Sequence, residues 1–158
     1  MAGAGWRELG PEEWGAHPLN RVWGWMTPIA VLLFIEGPME GALVLSGVVT
    51  DWEGTRALVA ATGPAWLGWL QLLVPVAEFL LLFLLFFRFR WFPEAYAAIR
   101  ATAYALAFAT GGFAAWDVWW IALAQGLIIG AEVMLVVYLF LGDRPNVLFR
   151  RRRVRART

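Results

Sequence analysis

PAWLGWLQLLVPVAEFLLLFLLFF, residues 64–87, is the stretch that decides the architecture. Only Gln71 and Glu78 interrupt its apolar character. At about 1.5 Å of rise per residue a helix needs roughly 20 residues to cross about 30 Å of hydrocarbon, and this run is long enough. It must be helical, because peptide N–H and C=O groups find no water in lipid and have to satisfy one another within the segment. Trp66 and Trp69 mark one end, and Arg88 with Arg90 follows the other, the aromatic and basic anchoring expected of a membrane span.

Three further runs extend this reading. Residues 22–49 (VWGWMTPIAVLLFIEGPMEGALVLSGVV) form a span interrupted by Glu36, Gly37, Pro38 and Glu40, so the first helix should kink or break near Pro38, which has no N–H to give to the preceding turn. Residues 93–113 open on Pro93 and end at Gly111-Gly112, and residues 119–141 open on Trp119-Trp120 and stop at Gly142. The expected fold is therefore an all-α integral membrane four-helix bundle over 21–149. A polar or interfacial arm (1–20) containing Trp6 and Trp14 should precede it, and a polybasic tail (150–158) should follow. Residues 51–63 read as a loop with room for a short helix.

Composition supports a lipid solvent. Of 158 residues, 61% are hydrophobic and 16% charged, too little polar surface for a water-soluble domain of this size. All 13 basic residues are Arg, and seven of them lie from Arg144 onward. Short Arg-rich segments stay cytoplasmic, which places the 88–92 loop and both chain ends on that side and makes Arg88, Arg90, Arg150, Arg151, Arg152 and Arg153 candidate topology anchors or anionic-headgroup contacts.

Five acidic or basic residues fall inside the spans away from their cytoplasmic ends: Glu36, Glu40, Glu78, Arg100 and Glu132. Each is costly if left facing lipid, so each needs a partner or a cavity. Counting helical rise from the cytoplasmic ends puts Glu78, Arg100 and Glu132 at similar depths of roughly 12 to 15 Å. One cation and two carboxylates then share a layer. The plainer reading is an ion pair that locks the bundle, with Glu78 favoured as the partner of Arg100 because a short loop makes their helices neighbours. The sharper reading is a proton or cation pathway through the carboxylates. Glu36 and Glu40, beside Pro38, form a candidate polar site in the outer half.

Gly126 and Gly130 make a small-xxx-small pair suited to close helix packing, within the chain or with a second copy. The chain has no Cys, one Ser (Ser46) and one His (His17), so no nucleophile with a base, metal cluster or phosphate-cradling loop emerges. We expect no enzyme activity, no cofactor and no bound metal. The Arg cluster lacks an aromatic stacking platform, which argues against nucleic acid. The expected partners are anionic lipid headgroups and a membrane protein or second copy of the chain.

Gly24-Trp25, Phe86-Phe87-Arg88 with Phe92-Pro93, and Tyr138 followed by Arg144 and Phe149 together resemble, in order and spacing, a family of small bacterial inner-membrane proteins known as domain of unknown function 2569. The resemblance covers about residues 21–150 and departs from the pattern at Gly142, Pro145 and Leu148. It implies a four-helix protein of the bacterial inner (cytoplasmic) membrane and brings no activity, cofactor or catalytic residue. The expected role is that of a non-enzymatic structural, accessory or assembly component; a small proton-coupled transporter or ion-conducting protein is the alternative.

Overall fold

The computed structural model describes residues 6–20, 24, 26–61, 63–111 and 118–154, and the chain is all-α apart from two short strands. Strand β1 (Trp6–Glu8) leads into a short helix, α1 (Pro11–Ala16). Helix α2 (Thr27–Phe34) continues through a π-helical turn, Ile35–Glu40, into α3 (Gly41–Thr50). Then come α4 (Trp52–Ala61), α5 (Ala65–Phe86), α6 (Phe92–Ala109), α7 (Trp119–Leu141), α8 (Asp143–Arg150) and strand β2 (Arg152–Val154). Among the described residues three stretches are long and apolar enough to cross a membrane: Thr27–Thr50, Ala65–Phe86 and Trp119–Leu141. Helix α6, with 18 residues, is less apolar because it carries Glu94 and Arg100.

The first long helix does not break at Pro38. Its backbone widens to the looser π pattern over Ile35–Glu40, which accommodates a proline that cannot donate to the preceding turn. The widened turn sets Gly37 directly on α5: a Cβ there would stand 2.7 Å from the Phe79 nitrogen and 3.0 Å from the Glu78 carbonyl carbon. Only a residue without a side chain permits that approach.

The apolar core lies toward one end. Met26, Ile29 and Leu33 from α2 meet Leu81 and Leu85 from α5, Phe92 and Tyr96 from α6, Leu139 from α7, and Leu148 and Phe149 from α8. Away from that end, α3 buries no side chain and α7 buries only Glu132 and Leu139, leaving Leu43, Val49, Leu123, Leu127 and Met134 outward. Such apolar outer faces suit lipid rather than water. The 51–63 segment is mostly helical. Asp51 starts α4 by accepting from the Gly54 N–H at 2.9 Å, and Trp52 packs on Trp69 with ring centroids 5.6 Å apart.

The described parts of the expected arm (1–20) and polybasic tail (150–158) meet each other. Strands β1 and β2 pair antiparallel, with Glu8 opposite Arg152. Helix α8 buries Pro145 through Phe149, and the Trp14 indole N–H donates to the Val147 carbonyl at 2.8 Å. Arg7 pairs with Glu13. Val147, Leu148 and Phe149, just before the expected tail, supply enough apolar surface to dock α8 on the bundle.

Candidate functional site

Arg100 stands at the middle of α6, facing α5 on one side and α7 on the other. Its Nη1 donates to Glu78 Oε1 at 2.7 Å, and its Nη2 donates to Glu132 Oε1 at 2.9 Å. The Tyr96 hydroxyl, one turn earlier on the same face of α6, donates to Glu132 Oε2 at 2.9 Å. Glu78, Arg100 and Glu132 are 3%, 9% and 7% exposed, so the cluster is buried among the helices. The planar guanidinium presents its donors as a fork and can serve two acids at once, which an ammonium on a flexible stem does less well. Three helices are thereby tied at one level, and Glu78 is not the sole partner of Arg100.

With both acids ionised, two carboxylates face one guanidinium. The Tyr104 ring lies under the Arg100 guanidinium at 5.5 Å, on the side of the ring's negative face. Removing one member of such a set leaves a charge in an apolar medium, and in buried pairs that loss costs about 3 to 5 kcal/mol.

Two cavities border the cluster. One, of about 190 Å³, is lined by Glu40, Gln71, Val74, Pro75, Glu78 and Arg100 among others. It shares Glu40, Gln71 and Pro75 with a neighbouring cavity of about 260 Å³ that reaches Leu58 and Val59 of α4. Pro75, inside α5, has no N–H to offer the Gln71 carbonyl, which adds a polar group to this side. The second bordering cavity, of about 350 Å³, lies between α6 and α7 and is mostly apolar, touching Arg100, Tyr104 and Glu132.

Glu40 thus joins the layer of Glu78 through a cavity rather than a direct bond, and it is itself exposed. The side chains of Glu36, Arg152 and Arg153 lie outside the described residues. Among the described residues Gly126 and Gly130 pack against no other helix: a Cβ on either would meet nothing within 4 Å, as α7 turns that face outward while Glu132 faces Arg100. Arg150 is not a free headgroup contact, since its Nη2 donates to Glu94 at 2.6 Å. Arg88 donates to Asn20 at 3.0 Å, and Arg90 is exposed beside Trp91.

Sequence reasoning overlooked Tyr96, although its spacing of four from Arg100 on a helix was a usable signal. It also overlooked Asn20 and Asn146. Asn146 is fully buried and donates to the carbonyls of Phe140 and Gly142, holding the bend between α7 and α8. No protein-family model, curated protein or solved structure matches the chain.

Proposed function

We propose that the chain is a non-enzymatic protein of the bacterial inner membrane, a four-span bundle with a structural, accessory or assembly role and both ends cytoplasmic, related to the domain of unknown function 2569 family. The observation that carries this reading is the shared use of Arg100 by Glu78 and Glu132, which engages the charges of three helices with one another. Charges engaged in this way fix the register of a bundle. Helix α6 serves as the fourth span. At 18 residues it is about 27 Å long, and its buried charge is matched by its neighbours. The pairing of Trp6–Glu8 with Arg152–Val154 supports an even number of crossings, since an odd number would separate these strands by the bilayer. Anionic lipid and a membrane-protein partner or second copy fit this role; the outward Gly126 and Gly130 face is where a helix of either could approach.

A second reading, a proton-coupled carrier or ion-conducting protein, draws on one observation. The cavities lined by Glu40 and Gln71 lead from α4 to Glu78. Proteoliposomes separate the two readings: wild type and Glu78→Gln should both pass protons and monovalent cations at the rate of empty liposomes. A pH-dependent flux that Glu78→Gln abolishes would replace the structural role with transport.

A further inference from the structure

At the end of the bundle opposite α4 lies a larger cavity, of about 540 Å³, whose lining includes Arg88, Arg90, Arg150, Arg151, Glu8 and Phe149. Two of these arginines come from the turn after α5 and two from the end of α8, so the fold draws basic residues far apart in sequence around one space. Arg150 is paired with Glu94. Among the described residues, Arg88, Arg90 and Arg151 have no carboxylate within ion-pair distance. Arg88 and Arg151 instead approach the same Trp14 ring, at 5.9 and 4.5 Å from its centroid.

The backbone gives an independent sign. Arg88 (φ 53°) and Arg151 (φ 49°) are the only non-glycine residues with positive φ among those described, and both line this cavity. Each ends a helix in the left-handed conformation that glycine adopts without penalty. After α5 the closing pattern is complete, with Phe89 N–H donating to Leu84 and Arg88 N–H to Leu85. Favourable contact with the negative end of the helix dipole explains a basic residue somewhere in the last turn. It does not explain why arginine twice occupies the one position where glycine fits better. Strained residues cluster at functional sites, and both of these line one cavity.

We infer that this cavity binds the phosphate of an anionic phospholipid, with Arg88, Arg90 and Arg151 holding the headgroup and the exposed Phe87 and Phe89, which also line it, facing its apolar part. Basic pockets at the membrane rim recognise lipid phosphate in this way, and guanidinium forks match phosphate oxygens. The inference rests on the membrane reading above, which puts this end of the bundle at headgroup level.

The test uses the full chain purified in mild detergent, with lipid retention followed by native mass spectrometry and melting followed with added phosphatidylglycerol, phosphatidylcholine or inorganic phosphate. The wild type should retain phosphatidylglycerol and melt higher with it, and respond little to the other two. Arg151→Gly relieves the backbone, so it should keep the fold while weakening phosphatidylglycerol binding about fivefold; Arg90→Gln should do the same, and the double variant should lose roughly twentyfold. Unchanged binding in the double variant, or equal binding of phosphatidylcholine, overturns the site. Displacement of phosphatidylglycerol by millimolar inorganic phosphate overturns its assignment to lipid. Alkaline carbonate extraction reads the membrane reading separately: release of wild-type chain counts against the spans, whereas a retained chain with an indifferent double variant counts against this site alone.

Discussion

Gly37 approaches Phe79 so closely that the smallest side chain would not fit, at 2.7 Å from the Phe79 nitrogen. The approach is made against backbone, which cannot swing aside as a flexible side chain would. Gly37→Ala should therefore push the π-helical turn off α5 and destabilise the bundle by about 1 to 3 kcal/mol, the usual cost of overpacking. Unfolding in detergent, followed by tryptophan fluorescence, checks this. A melting curve equal to wild type would mean that the two helices do not meet there.

Gly126 and Gly130 should behave in the opposite way. Their Cβ positions are open, so alanine at either should leave the monomer as stable or slightly more stable, since glycine inside a helix costs about 0.5 to 1 kcal/mol relative to alanine. If the face meets a second copy, the same changes should reduce crosslinked dimer in native membranes. Loss of monomer stability would place these glycines inside the bundle after all.

Arg150 distinguishes a docked α8 from a solvated tail. Arg150→Gln should lower stability by about 1 to 3 kcal/mol, because it removes the charged donor from Glu94. Removing the chain from Arg155 onward should cost far less. Equal effects from both would mean that the Arg150–Glu94 pair does not hold α8 on the bundle.

The proposed topology rests on the distribution of arginine. A reporter that fluoresces only in the cytoplasm should be bright after Thr158 and after Arg90, and dark after Glu53. A dark fusion after Thr158 at normal expression would overturn the even number of crossings.

Much of this arrangement is legible in the sequence, for physical reasons. Long apolar runs bounded by Trp and Arg read as candidate spans, and a fixed helical rise places Glu78, Arg100 and Glu132 at comparable depth before any face is known. Cost forces the charges inward, so depth alone nearly determines the cluster. What is not legible depends on contacts between distant segments. Glu94 and Arg150 are 56 positions apart, and no local spacing links them. The pairing of Trp6–Glu8 with Arg152–Val154 has the same character, and a dense run of arginine hides the apolar Val147-Leu148-Phe149 beside it. Glycine spacing in α7 shows that a neighbour could approach, but not whether one does.

The central claim is that Arg100 is shared by Glu78 and Glu132 and joins three helices. Double-mutant cycles test it most directly, pairing Arg100→Leu with Glu78→Gln and with Glu132→Gln and measuring unfolding of each variant in detergent. Arg100→Leu alone should be the most damaging change, because it leaves two carboxylates without their cation, while each glutamine keeps its shape and a hydrogen-bonding group. Both cycles should show coupling on the order of 1 kcal/mol, the scale of polar contacts in membranes. Strict additivity in both would mean that Arg100 reaches the membrane surface instead of the glutamates, and the shared ion cluster would be wrong.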